Sequence, residues 1–161
     1  MMTKKSSWFP SRLEEVLCAV LFAVMAVITF INIISRYLLK YSFAFTEELV
    51  VSFFVWLTLL GTSIAFREQS HLGFSFLVDR LPPKIRRIFL WVSAGLGAVL
   101  FLFLIYFALG QIGEEISLGI TSSGIGVPQW WYTIGVPVFS ALIVLRVFQG
   151  AYRASRKMEK G

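Results

Sequence analysis

Of 161 residues, 57% are hydrophobic, 16% aromatic and 15% charged, where a soluble globular domain has roughly 45 to 50% apolar and about 25% charged residues. This composition excludes a soluble fold, and the length leaves room for roughly four or five membrane crossings with no separate soluble domain. The formal charge of +6 does not point to nucleic acid, because the basic residues lie in the gaps between apolar runs, a distribution that suits a membrane surface.

The first apolar run, 16–34, follows Lys4, Lys5 and Arg12. It is longer than the core of a secretory signal and ends in Ser35, Arg36 and Tyr37 without a small-x-small cleavage pattern, so it reads as a retained span. Ser11 and Glu14 have capping-box spacing at its start. Cys18, the single cysteine, lies inside the run as a packing residue and allows no intrachain disulfide. The next connection brings Tyr41, Phe43 and Phe45, which suit either a segment lying in the interface or an irregular loop packed on the spans.

Thr46 with Glu47 and Glu48 opens the second run, 49–66, by offering a cap and two carboxylates to the positive end of a helix. Gly61 and Ala65 are small residues at packing distance on one face. The connection that follows holds Arg67, His71, Asp79 and Arg80, and its apolar part, 72–81, leaves the same choice between interfacial helix and loop. Pro82 and Pro83 then suit the first turn of a third helix, 88–109, where a missing N–H costs nothing. Ser93 with Gly97, and Ala94 with Ala98, permit close helix approach there.

Glu114 and Glu115 follow this span, and the glycine-rich stretch 119–126 reads as a turn or extended loop. Pro128 precedes the fourth run, 131–148, and Pro137 lies inside it, predicting a kink near Val136. Trp8, Trp91, Trp130 and Trp131 fall near span ends as interfacial anchors, whereas Trp56 lies nearer the middle of its run and is expected to pack against a partner. Runs this long without two-residue alternation must be helices, because a hydrocarbon core offers backbone amides no water. The fold class is therefore all-α, with four transmembrane helices in one membrane domain, 1–161, and short interfacial helices possible in the connections.

Lys and Arg set the orientation. They crowd the N-terminal segment, the second connection (Arg67, Arg80, Lys84, Arg86, Arg87) and the C-terminal segment (Arg146, Arg153, Arg156, Lys157, Lys160), while 110–130 has none. The positive-inside rule then places both termini in the cytoplasm.

The missing chemistry is equally informative. One histidine supports neither a zinc site nor paired haem ligands, and there is no phosphate-binding glycine loop and no Ser/His/Asp set, which argues against an enzyme and against a cofactor in this chain. A self-sufficient transporter keeps ionisable groups near the bilayer midplane; here the runs hold only hydroxyls such as Thr58, Thr62, Ser93 and Ser140. Arg36, one turn from Asn32, is placed either to pair with Glu47 or Glu48 or simply to snorkel at a helix end. The chain reads as a scaffold without its own transport site.

The order of these features resembles the small four-helix subunit of tripartite ATP-independent periplasmic (TRAP) transporters. The resemblance rests on Arg36-Tyr37, Glu47-Glu48-Leu49, Phe54-Val55-Trp56-Leu57 with Leu60-Gly61, then Arg67, His71, Asp79-Arg80-Leu81-Pro82-Pro83 with Arg86 and Arg87, and finally Gly126-Val127-Pro128, Trp131, Pro137 and Arg146. It covers roughly 13–148. Ser75 stands where family members often have an aspartate. The resemblance implies a bacterial inner-membrane protein whose partners are membrane lipid, a large multi-span transport subunit that carries substrate and sodium, and a periplasmic substrate-binding protein that captures an organic acid. Arg36, Glu47, Glu48, Trp56, Arg67, His71 and Arg146 are then the candidates for helix-end and partner contacts, and Glu114 and Glu115 for docking of the periplasmic protein. Two other readings compete: a small dimeric exporter, which would need an embedded carboxylate that 16–34 lacks, and a structural subunit of another membrane complex.

Overall fold

The computed structural model describes residues 10–40, 44–67 and 82–159; His71, Ser75, Asp79, Arg80, Trp8, Tyr41 and Phe43 lie outside them. Four helices long and apolar enough to cross a membrane account for nearly all of these residues, and the sequence-predicted spans fall inside them. α1 is Pro10–Ile34, α2 is Ala44–Arg67, α3 is Pro83–Ser117, α4 is the single turn Trp130–Thr133 and α5 is Gly135–Glu159.

The ends differ from expectation in ways that have local causes. α1 begins at Pro10, so Ser11 lies within the helix and the Glu14 carboxylate is committed elsewhere. Its far end runs into a π-helical turn over Ser35–Leu39, closed by Lys40, whose N–H bonds the Ser35 carbonyl from a left-handed backbone (φ 54°). Within α2, Ser52, Thr58 and Thr62 return their hydroxyls to the carbonyl four residues back, each at 2.8 Å, which satisfies them without a neighbour. Pro83 opens α3 as a first-turn proline should. That helix has 35 residues, about 52 Å at 1.5 Å per residue against a hydrocarbon core of about 30 Å. Glu114 and Glu115 are thus its last turn and not a loop.

The fourth span is broken at Ile134, three residues before Pro137. Proline has no N–H for the carbonyl four residues earlier, here Thr133, and the ladder fails there. The neighbouring Tyr132 carbonyl accepts a 3.0 Å hydrogen bond from the Trp56 indole Nε1. Such substitution of partners is required wherever a helix breaks near lipid.

The helices pack as an open row in the order α1, α2, α5, α3. The core lies between its inner members: Leu59 from α2, Leu90, Ala94 and Phe101 from α3, and Ile143, Val147, Ala151 and Ala154 from α5. Ala94 and Ala98 are buried as small packing residues, whereas Ser93 is exposed and nothing lies within 4 Å of a Cβ placed on Gly61. α1 touches α2 through one narrow seam, 14, 18, 21, 25, 28, 32 and 35, which alternates four- and three-residue steps like one face of a coiled coil. Only Glu14 is buried among the described side chains of α1. The outer flanks of α1 and α3 therefore present large apolar side chains, Phe22, Val27 and Phe30 on one, Leu96, Phe103 and Phe107 on the other.

Candidate functional site

Two clusters of polar side chains hold the row together, one at each end. At one end of the row α1 starts and α2 finishes while α5 passes on the far side of α2, so Glu14, Arg67 and Arg146 reach a common level. Arg146 donates both Nε, at 2.9 Å, and Nη2 to Glu14 Oε1. Its remaining Nη1 donates to Gln149 Oε1 at 2.9 Å. Arg67 places Nη1 3.5 Å from Glu14 Oε2 and Nη2 2.7 Å from Glu15 Oε1. Glu14, Arg146 and Arg67 are all largely buried, while Glu15 faces outward. Among the described residues, two arginines and two glutamates meet here with balanced charge, the arrangement that makes buried ions tolerable.

At the other end, the segment after α3 folds back on itself. Gly119 and Gly126 take left-handed backbone (φ 60° and 72°), Thr121 bridges Pro128, and Ser122 N–H bonds the Val127 carbonyl at 2.8 Å. Glu48, in the first turns of α2, accepts from the Ser122 hydroxyl and from both the hydroxyl (2.5 Å) and N–H (3.3 Å) of Ser123. A Cβ on Gly124 would overlap Phe45, so the turn lies tightly on α2. Beside it, buried Glu115 accepts from Gln111 Nε2 and Thr133 Oγ1, each at 2.9 Å, and ties α3 to α4.

Several sequence candidates thus have internal roles. Trp56 packs within the chain, against Phe53, Phe139 and the backbone at Gly135, where a Cβ would collide with the indole. From its mid-run position it caps the broken helix. Glu115 faces inward and is closed to a docking protein, while Glu114 is exposed. Glu48 is occupied by Ser122 and Ser123, and Arg36, which is exposed, makes no ion pair with Glu47 or Glu48. His71 lies outside the described residues. Arg67 closes α2, whereas Arg146 lies in the middle of α5, and the two are joined through Glu14.

The sequence reading missed Glu14 by assigning it to a cap. The topology held the signal, since a carboxylate four residues into the first helix of an alternating bundle meets the basic ends of the second and fourth spans. Glu115 was equally findable, being one heptad from Ala108 and two from Phe101, both buried. Ser63 and Ser140, on α2 and α5, are fully buried with no hydrogen bond to their hydroxyl oxygens. Among the described residues no group of three or more His, Cys, Asp or Glu could hold a metal ion.

The family model described as tripartite ATP-independent periplasmic transporters, DctQ component, matches residues 25–157. A Haemophilus influenzae protein named as a TRAP transporter small permease is 34% identical over 82 residues, 51% of each chain. The sialic acid TRAP transporter permease protein SiaT of Haemophilus influenzae is 31% identical over 140 residues, 86% of this chain but 22% of that one. The C4-dicarboxylate TRAP transporter small permease protein DctQ of Rhodobacter capsulatus is 24% identical over 178 residues, 92% of this chain and 78% of that one. The chain spans about half the length of the first of these relatives and less than a quarter of the second.

Proposed function

Since the chain belongs to the DctQ-component family of TRAP transporters and is a small permease subunit of the multi-pass inner-membrane kind, we propose that it is a scaffold that enlarges the stationary part of a larger transporter. The observation that carries this reading is the open row of helices. Its described buried charges are consumed in holding the row together, and its two flanks are left apolar. A body of this kind has much surface for lipid and for a neighbouring subunit and little chemistry for moving a solute.

The neighbour is a large multi-span transport subunit. Support comes from SiaT, in which a stretch similar to this chain makes up only 22% of one permease protein. In this reading the large subunit carries the substrate and the coupling sodium, and a periplasmic binding protein delivers the substrate. Relatives are named for sialic acid and for C4-dicarboxylates, so the solute is an organic acid. The end bearing both termini, rich in Arg and Lys, faces the cytoplasm. The turn around 119–126 and exposed Glu114 then face the periplasm, where they help to receive the binding protein.

The test is to tag the C-terminus, solubilise gently from the native membrane and identify what co-purifies in stoichiometric amount. A large polytopic protein, with sodium- and binding-protein-dependent uptake after reconstitution, is the expected result. A homodimer of this chain that moves solute alone would overturn the scaffold reading.

A further inference from the structure

The turn that ends α1 is built unlike the other helix ends. Ser35 is buried, and the five residues after it, Arg36 to Lys40, are all exposed. Tyr37, Leu38 and Leu39 are 80%, 76% and 73% exposed, more than any other large hydrophobic residue described. Three consecutive apolar residues on a helical turn point in three different directions, so no single packed face explains them. They need an apolar medium around the whole turn.

Depth supplies the medium on one side. About 20 helical residues cross a hydrocarbon core of about 30 Å, so a span entering at Val16 puts 36–40 on the boundary between acyl chains and headgroups. Cations are favoured there by the partial negative charge of the helix end. Among the described residues Arg36 has no ion pair, and the carboxylate of Glu48 is taken by Ser122 and Ser123. Lys40 is held in place by its left-handed backbone and its N–H bond to Ser35. The π-helical turn, a widening common at functional sites, thus presents two exposed cationic residues bracketing three exposed apolar side chains.

We propose that residues 35–40 form a binding site for one phospholipid, with Arg36 and Lys40 on its phosphate and Tyr37, Leu38 and Leu39 among its acyl chains. Guanidinium forks suit phosphate oxygens, and an ammonium adds a second charge without requiring fixed geometry. The site does not depend on which end of the protein faces the cytoplasm.

Native mass spectrometry of the full chain in detergent, titrated with phosphatidylglycerol, tests this. Wild type is expected to retain one lipid, and R36Q/K40Q to bind it roughly tenfold or more weakly, as expected for two lost cations near a phosphate. R153Q/R156Q, at the opposite end, is the control and should bind as wild type does. Arg36→Lys should keep most of the affinity, and circular dichroism and thermal melting should be unchanged in every variant. Inorganic phosphate that displaced the lipid would mean a site for phosphate alone and would overturn the acyl part of the proposal. Unchanged lipid retention in R36Q/K40Q would overturn the whole of it, as would a variant that kept lipid but lost the large subunit on co-purification, since the turn would then be a protein interface.

Discussion

Arg146 and Glu14 lie 132 residues apart and are joined by a 2.9 Å hydrogen bond from Nε to Oε1, with a second donor, Nη2, on the same oxygen. This pair fastens α1, whose apolar surface is otherwise spent outward, to α5 on the far side of α2. The seam between α1 and α2 is narrow, so the polar lock fixes the angle at which α1 presents its flank.

Removing one partner leaves a buried charge unmatched. Arg146→Met or Glu14→Gln is expected to destabilise the folded chain by about 3 to 5 kcal/mol, and the double substitution to cost less than the sum because it removes both ions together. Glu15→Gln, at the exposed side of the network, should cost no more than about 1 kcal/mol. Thermal melts of the four variants in one detergent give the ranking. Additive losses from Arg146→Met and Glu14→Gln would mean that the two residues are not coupled.

The break at Ile134 depends on a tryptophan and a glycine in contact. Trp56→Phe keeps most of the packing but leaves the Tyr132 carbonyl without its donor, and an unsatisfied buried acceptor costs about 1 to 3 kcal/mol. Gly135→Ala pushes a methyl into the indole and should be at least as damaging. Combining the two should be less harmful than their sum, since the smaller ring makes space for the added methyl. A double-mutant cycle by thermal unfolding reads that coupling.

The spans were legible in the sequence because hydropathy is a local property and the bilayer enforces helices. Legibility ended where a role depends on which elements share a level or a face. Glu14 looked like half of a capping box because its partners are 53 and 132 residues away. Pro137 revealed a kink but not its position at Ile134, since the missing hydrogen bond is felt four residues upstream. The length of α3 was hidden by the glycines and carboxylates of 110–117, which look like a loop until Gln111 and Thr133 close on Glu115.

Two glycines separate internal packing from free surface. A Cβ on Gly150 would sit 2.8 Å from the Phe66 carbonyl oxygen, a backbone atom that cannot turn aside. Gly150→Ala should therefore force α2 and α5 apart and cost about 1 to 3 kcal/mol. Gly61 meets nothing within 4 Å, and Gly61→Ala should raise stability by up to about 1 kcal/mol through helix propensity. Melting temperatures of the isolated chain test both signs. Comparison in the assembled transporter adds a readout, because a neighbour packed on Gly61 would reverse the sign of that substitution only when it is bound.

Glu114 and Glu115 are adjacent in sequence and opposed in the structure, which allows docking to be separated from folding. Glu115 is 5% exposed, accepts from Gln111 on its own helix and joins α3 to α4 through Thr133, so Glu115→Ala strips the acceptor from two part-buried hydrogen bonds. It should destabilise the chain by about 1 to 3 kcal/mol and reduce the yield of the complex. Glu114 is exposed, and its backbone carbonyl accepts from Leu118 N–H at 2.9 Å and the Ser117 hydroxyl at 3.0 Å. Glu114→Lys should leave melting unchanged. If the outer turn receives the binding protein, this charge reversal should weaken docking severalfold, with the loss shrinking as salt is raised, because rim charges act mainly on encounter and are screened. Docking measured by surface plasmon resonance at two ionic strengths decides the matter: a Glu114→Lys complex with wild-type affinity at low salt would remove Glu114 from the docking surface.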